Sequence, residues 1–355
     1  MKESRITYFD YLRVFAVISV VVLHVACEHW GALNTRDIPW QTLNFYDSIV
    51  RWGVPVFLMI SGALFLDRNP GIKPLYFKYI PRMTVAYCIW SAFYTIALPL
   101  ATHSTDPESP VSFLSVITGT IRGHFHLWFI PMIIGIYMCL PLLQQITAQQ
   151  QLKRYFLLLS FIFAFVIPQC LSLTHDFIGG PLSSVASAFN GFISNMNMQF
   201  VLGYSFYFVL GHELHHLELT RGQRWSIYVL GLLGFFSTIL LDAVIAWRTQ
   251  TPCQTYYGNF TVNVALEAIS LFILCKYMSF PHLTLNRFFS MLSQCSFGAY
   301  LIHIFFRDVL AVAGLDTLTF APVISVPVKS ALVVLLSFSL SFILNKIPVL
   351  NKWMV

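Results

Sequence analysis

The sequence predicts an all-α polytopic membrane protein with about ten transmembrane helices. Hydrophobic residues make up 57% of the 355-residue chain and charged residues only 10%, against about 25% charged residues in a typical soluble domain. A chain with so little charge cannot cover a water-facing surface, whereas lipid requires no polar shell. The apolar residues also fall into runs of about 20, the length that a helix needs to cross a bilayer. We therefore expect a single transmembrane domain, residues 1–355.

Ten apolar runs are long enough to be spans. Residues 177–195 are only semi-apolar and rich in Gly, Ser and Asn, so we interpret them as a re-entrant or surface loop. The first run follows basic residues as in a signal peptide, but it is long and no small-residue cleavage site follows it, so we expect an uncleaved span. The ten spans lie near residues 9–28, 49–67, 83–101, 125–146, 155–173, 198–216, 225–247, 260–279, 294–313 and 322–345.

The distribution of positive charge predicts that both termini are cytoplasmic. With the N-terminus inside, 15 of the 21 Lys and Arg residues fall on cytoplasmic segments, in agreement with the positive-inside rule. The net charge of +6 does not indicate nucleic-acid binding, because no soluble segment carries a basic stripe interleaved with aromatic residues. The seven cysteines include no C-x-x-C pair and are expected to be ordinary apolar residues of the spans.

Two ionisable residues lie in the first span. Arg13 and His24 are 11 residues apart, about three helical turns and about 16 Å along the axis, so they share one face. Taken singly, Arg13 could snorkel to the inner interface or pair with Asp10, and His24 could be a hydrogen-bonded interface residue. Taken together they indicate one polar cavity, in which arginine binds phosphate and neutral histidine takes a proton from an attacking hydroxyl. Coenzyme A, with a phosphate head and a long arm, fits that separation.

Five segments, in order along the chain, carry a family resemblance. They are FDYLRVFAVISVVVLH (9–24), VPVFLMISGALF (54–65), KYIPRM (78–83), HLWFIPMIIGIYMCLPLL (126–143) and CSFGAYLIH (295–303). Together they resemble acyltransferase family 3, whose first span carries an arginine, ten residues and a histidine. The sequence is most similar to stand-alone members of the family. Val14 and Pro81 depart from the family pattern, and Pro81 interrupts the basic stretch.

The resemblance implies a cell inner-membrane O-acyltransferase, with acetyl as the default acyl group. The donor would be cytoplasmic acetyl-CoA or another acyl-CoA, without a metal, and the acceptor a hydroxyl of an extracytoplasmic saccharide or lipid-linked glycan. His24 and Arg13 would be essential, and His24 would act as general base or carry the acyl group. Membrane lipids would be the other partner, with no nucleic acid, and the oligomeric state is open. A glycan or lipid-precursor transporter or flippase is the alternative, because ten spans and an intramembrane acid also fit it.

An acidic residue lies inside the eighth predicted span. Glu267 forms one polar stripe with Asn263 and Ser270. We interpret Glu267 either as a carboxylate that orients His24 or as a structural partner of Arg51 or of another polar group.

Other polar residues are candidates for binding the two substrates. Lys78 and Arg82 join Arg13 as contacts for the CoA phosphates, although plain positive-inside topology also explains a basic cluster there. The candidates on the acceptor side are Arg51, His126, Trp128, Tyr300 and His303. An ordinary interface position is the alternative for Trp128.

The segment HELHH, residues 212–216, contains the H-E-x-x-H pattern of zinc peptidases. The sequence shows no convincing distant carboxylate that would complete a metal site. The segment also lies where polar residues normally mark the end of a span, so we expect no metal there.

Overall fold

The computed structural model describes residues 5–68, 71–102, 112–196 and 203–354. This part of the chain contains helices and no strand, which confirms the predicted all-α membrane fold class. The principal helices are α1 (Thr7–Ala26), α2 (Ile38–Ser48), α3 (Gly53–Phe65), α4 (Ile80–Ala101), α5 (Phe113–Arg122), α6 (Phe129–Met138), α7 (Leu140–Ala148), α8 (Gln150–Ser160), α9 (Ile167–Leu173), α10 (Gly180–Asn195), α11 (Ser205–His216), α12 (Arg221–Thr249), α13 (Val262–Tyr277), α14 (Leu283–Val312), α15 (Pro322–Lys346) and α16 (Pro348–Trp353).

Within the described ranges, eight helical segments are long and apolar enough to cross a bilayer, and the bent pair α6–α7 is a ninth candidate. The axes of that pair differ by 58°. The predicted sixth span, 198–216, begins among residues that are not described, and α11 is its described part. The cytoplasmic position of the termini stays a prediction. The eight segments are Thr7–Ala26, Ile38–Phe65, Ile72–Ala101, Gln150–Ile178, Arg221–Thr249, Thr255–Tyr277, Leu283–Val312 and Pro322–Lys346.

Local sequence explains where several helices begin. Ser112 and Thr220 form capping boxes at the starts of α5 and α12, because each side chain accepts a hydrogen bond from the backbone N–H three residues later. Pro39 and Pro322 lie in the first turn of α2 and α15, where the missing proline N–H costs no helical hydrogen bond.

Residues 180–195, within the predicted re-entrant or surface loop 177–195, form a helix, and the re-entrant placement stays a prediction. Gly179 and Gly180 adopt φ values of 67° and 61°, which end the preceding helix, and Pro181 lies in the first turn of α10. Ala186 is the buried residue of this helix. The Gly, Ser and Asn content suggested a loop, but the breaking conformation is confined to the two glycines at its start.

The contacts divide the chain into two compact units. The first unit comprises residues 1–28, 70–141 and 282–355. Here α1 packs against α14 and α15, α14 packs against α15 and α4, and α4 packs against α5 and α6. Residues near the end of α1 are thereby brought close to the middle of α14.

The second unit comprises residues 29–69 and 142–281. Its α3 packs against α11 and α13, and α12 packs against α13 and α2. The backbones of α3 and α11 are in contact. A Cβ atom added to Gly62 would lie under 3.0 Å from the Phe208 carbonyl, and a Cβ atom added to Gly211 would lie under 3.0 Å from the Met59 carbonyl. Small residues allow helices to approach this closely.

An ion pair is buried in the first unit, after the end of α1. The Lys329 ammonium, whose side chain is fully buried in α15, donates to the Glu28 carboxylate. Glu28 also accepts a hydrogen bond of 3.0 Å from the backbone N–H of Thr317. Both charges are compensated in a poorly hydrated position, so that removal of either partner would leave the other charge uncompensated.

We expect Glu28→Gln to lower the free energy of unfolding by about 3–5 kcal/mol, because it leaves the Lys329 ammonium buried without its counter-ion. The measurement is the thermal unfolding midpoint of the purified protein in detergent. Glu218→Gln is the matched control: Glu218 also pairs with a lysine, Lys276, but its side chain is 84% exposed, so the loss should stay below about 1 kcal/mol. Equal losses in both variants would contradict the prediction.

Candidate functional site

Four histidines from three parts of the first unit lie together. His24 is near the end of α1, His303 lies on α14, and His124 and His126 lie beside and within the short helical turn Phe125–Trp128. Ring centroids are 5.0 Å apart for His24 and His303, 5.2 Å for His126 and His303, and 5.0 Å for His124 and His126. We call these four residues the histidine cluster.

Hydrogen bonds assign the proton on the His24 ring. His303 Nδ1 lies 2.6 Å from the Tyr300 carbonyl, so Nδ1 donates and Nε2 is left as an acceptor. That Nε2 lies 3.1 Å from Nδ1 of His24, which also lies 2.9 Å from the Val20 carbonyl. These contacts favour a proton on His24 Nδ1, and in a neutral ring Nε2 would then hold the lone pair that can accept a proton.

The other two histidines form a second hydrogen-bonded pair. His126 Nε2 lies 3.3 Å from the Leu301 carbonyl and its Nδ1 lies 2.8 Å from Nδ1 of His124. The Tyr300 hydroxyl donates to the His126 carbonyl. Burial, together with the charge of Arg307, lowers the pKa of His124 to about 4, so His124 is neutral at neutral pH.

Sequence reasoning placed His24, His126, Tyr300 and His303 among the site residues, and the structure brings these four together. It missed His124, Tyr94 and Arg307. The Tyr94 ring of α4 stacks on His124 at 4.5 Å.

Arg307 approaches the same region from α14. Its guanidinium lies 3.4 Å from the His24 carbonyl and pairs with Asp308. Arg307 follows His303 by four residues and therefore lies on the same helical face. That spacing was the available signal in the sequence.

The predicted spacing of Arg13 and His24 holds, because α1 is one continuous helix from Thr7 to Ala26 and both residues are half-buried. Asp10 accepts two hydrogen bonds from Arg5, of 2.6 and 2.9 Å. The alternative pairing of Arg13 with Asp10 stays a prediction. A shared polar passage between Arg13 and His24 stays a prediction.

Arg13 belongs to the same unit as the segment that precedes α4. Lys78 adjoins Tyr79, and both Lys78 and Arg82 are exposed. The three proposed phosphate contacts therefore belong to one unit, and two of them face outward where a ligand can reach them.

Glu267 and Arg51 lie in the second unit, each with a partner there. The fully buried Glu267 carboxylate accepts a hydrogen bond from the Thr238 hydroxyl. Arg51 pairs with Asp47, and its guanidinium lies 4.1 Å from the centre of the Tyr257 ring. The described contacts thus do not support Glu267 as the group that orients His24.

His303 occupies the position beside His24 that the sequence analysis gave to Glu267. It was expected on the acceptor side, as was Trp128, which lies at the end of the Phe125–Trp128 turn with 40% of its surface exposed. An exposed indole two residues from His126 can still contact a substrate. The acceptor contacts of Arg51 and Trp128 remain predictions.

Comparison with known proteins identifies the family. The family model described as "Acyltransferase domain" matches residues 6–346. No curated protein and no solved structure matches the chain significantly. The match spans nearly the whole chain and includes all four residues of the histidine cluster. The resemblance seen in the sequence is therefore confirmed, and the chain belongs to acyltransferase family 3, a family of multi-pass membrane acyltransferases.

Proposed function

We propose that the protein is an inner-membrane O-acetyltransferase. It would move an acetyl group from cytoplasmic acetyl-CoA to a hydroxyl of an extracytoplasmic saccharide or lipid-linked glycan. Family membership supports acyl transfer. The observation that carries the site is the position of His24 Nδ1, which lies 3.1 Å from His303 Nε2 and 2.9 Å from the Val20 carbonyl; both contacts favour a donor at Nδ1 and a lone pair at Nε2. A neutral imidazole in this state is suited to act as a general base.

The proposed reaction is a direct transfer. His24 Nε2 removes the proton of the acceptor hydroxyl while the hydroxyl oxygen attacks the thioester carbonyl. The new C–O bond forms, the C–S bond breaks, and the proton passes from the His24 ring to the departing CoA sulfur. The hydrogen bond from His24 Nδ1 to His303 Nε2 holds the ring in place and stabilises the transient imidazolium. General base catalysis of this kind contributes about 10²–10⁴-fold to a rate.

The donor phosphates would lie against Arg13, Lys78 and Arg82. A hydrogen bond to a charged group contributes about 1.5 kcal/mol, equivalent to about tenfold in affinity. We expect Lys78→Gln and Arg82→Gln each to raise KM for acetyl-CoA by about tenfold and to leave kcat unchanged. The matched control is Arg287→Gln, an exposed arginine of the same unit, which should leave KM unchanged. A fall in kcat at constant KM would contradict the assignment of these residues to the phosphates.

The proposed function is tested with purified protein in proteoliposomes, given acetyl-CoA labelled in the acetyl group and a mixture of glycan acceptors. Transfer of the label to glycan is the expected result. Movement of glycan across the bilayer without acetyl-CoA, and without label transfer, would overturn it in favour of a transporter. If labelled protein accumulated without acceptor in the wild type but not in His24→Ala, the mechanism would be transfer through an acyl-histidine intermediate and not direct transfer.

A further inference from the structure

A second cluster of ligand-type side chains lies in the second unit, where α3 and α11 end. Asp67 follows α3, and His212 and His216 lie one turn apart on α11. His212 Nε2 is 3.0 Å from Asp67 Oδ1, and His216 Nε2 is 3.3 Å from Asp67 Oδ2. One atom from each residue can be chosen so that all three lie within 4.8 Å of one another. The tertiary structure thus supplies the distant carboxylate that HELHH lacked in the sequence.

The hydrogen bond of His216 turns its second ring nitrogen toward the Asp67 carboxylate. Its Nδ1 lies 2.9 Å from the His212 carbonyl, so this nitrogen carries a proton and donates. Its Nε2 faces the Asp67 carboxylate. In a neutral ring two sets of lone pairs would then oppose each other. A proton on Nε2 or a metal ion between the two atoms removes that repulsion.

The distances suit a tetrahedral metal ion. Zinc binds histidine nitrogen at about 2.0–2.1 Å and carboxylate oxygen at about 2.0–2.2 Å, so ligand atoms around it are about 3.3–3.5 Å apart. Each histidine nitrogen lies near that edge length from one of the two Asp67 oxygens, 3.0 Å from Oδ1 for His212 and 3.3 Å from Oδ2 for His216, and with one atom chosen from each residue all three lie within 4.8 Å of one another. The bond from His216 Nδ1 to a backbone carbonyl also matches the support that metal-bound histidines commonly have.

Exposure gives an ion access to the cluster. The side chains of Asp67 and His216 are 47% and 49% exposed, whereas that of His212 is 11% exposed. A fourth ligand, such as water, can therefore approach from the exposed side. His212 is held in place by burial, and Asp67 and His216 are accessible, so a site can form without rearrangement of α11.

The third residue of the zinc-peptidase pattern is engaged elsewhere. Glu213 pairs with Lys153 of α8 and accepts a hydrogen bond of 3.1 Å from Gln150. A carboxylate held by a lysine is not the general base that a zinc peptidase requires. The cluster therefore fits a structural ion and not a peptidase centre.

We propose that Asp67, His212 and His216 bind one divalent transition-metal cation, with zinc as the best-matched ion, and that it links the end of α3 to the end of α11. The link reinforces the helix pair that Gly62 and Gly211 hold in backbone contact. The sequence-based expectation of no metal is thereby revised for this site, while the proposed acyl transfer uses none of its residues.

The test uses the intact protein in detergent, without a histidine tag because a tag binds zinc. After dialysis against chelator, the protein is titrated with zinc chloride, and bound zinc and the unfolding midpoint are measured. The expected result is one zinc per chain with a raised midpoint, since an ion that binds only the folded state stabilises it. Cobalt should give the visible absorption of a tetrahedral site, which zinc then displaces.

Variants locate the site. His216→Gln and Asp67→Asn should each weaken zinc binding at least tenfold and remove the shift in midpoint. The matched control, His215→Gln, changes the neighbouring histidine of the same helix and should bind as wild type. Equal binding in wild type and His216→Gln would overturn the proposal. The proposal would also be overturned if the wild-type protein gave neither bound zinc nor a cobalt spectrum. In that case a proton would bridge His216 and Asp67. This second outcome does not depend on whether the variants fold.

Discussion

Replacing His24 by alanine is expected to lower kcat for acetyl transfer by about 10²–10⁴-fold, the range that a general base contributes. The unfolding midpoint should change little, because His24 is only half-buried. The measurement is steady-state transfer from labelled acetyl-CoA at saturating substrate in detergent. His282→Ala, which alters an exposed histidine of the same unit, is the control and should keep full activity. Activity within threefold of wild type in His24→Ala would remove the proposed catalyst.

Two substitutions of His303, the neighbour of His24, distinguish loss of the hydrogen bond from a change in side-chain size. In His303→Gln the side-chain oxygen can still accept the hydrogen bond from His24 Nδ1, whereas in His303→Leu no acceptor remains. We expect His303→Leu to lower kcat more than His303→Gln, with little change in KM for acetyl-CoA. Since His303 is fully buried, both variants are compared by their unfolding midpoints first. Equal kcat in the two variants would show that the hydrogen bond to His24 has no part in catalysis.

Adding one methyl group to either interhelical glycine is expected to disrupt the second unit. In Gly62→Ala and Gly211→Ala the new Cβ atom meets a backbone carbonyl of the facing helix, which cannot rotate aside as a side chain can. Overpacking costs about 1–3 kcal/mol where side chains can adjust, so we expect about 3 kcal/mol or more here. The measurements are the yield of monodisperse protein and its unfolding midpoint.

Gly135→Ala is the matched control for these two variants. Gly135 also lies within a helix, α6, but a Cβ atom there would have no neighbour within 4 Å. Alanine should therefore stabilise this helix by about 0.5–1 kcal/mol. A wild-type midpoint in Gly62→Ala would show that α3 and α11 can separate without loss of the fold.

Composition and the length of the apolar runs were sufficient to predict the membrane class and most of the helices. The second span shows the limit of that reasoning. The sequence predicted residues 49–67, whereas the apolar helical segment extends from Ile38 to Phe65. Polar residues such as Asn44 and Asp47 interrupt the hydropathy of this segment, but both side chains are buried by tertiary packing. Hydropathy alone therefore identified the part of the segment that holds α3 and left out α2.

The candidate site was predictable in its residue types and only partly in its pairings. An arginine and a histidine on one face of α1 could be read from helical geometry, because the spacing is local. The partner of His24 is 279 residues away in the chain, and the sequence analysis gave that role to Glu267 and placed His303 on the acceptor side. Packing of α1 against α14 decided the choice.

The sequence by itself determined that this is a helical membrane protein, to which family it belongs, and that Arg13 and His24 share one helical face. Each of these follows from composition, local periodicity or a run of neighbouring residues. Only the tertiary structure decided which nitrogen of His24 bears the proton, which residue accepts its hydrogen bond, and that Asp67 completes the HELHH cluster. Those facts depend on distances between side chains from different helices, and no local propensity encodes such distances.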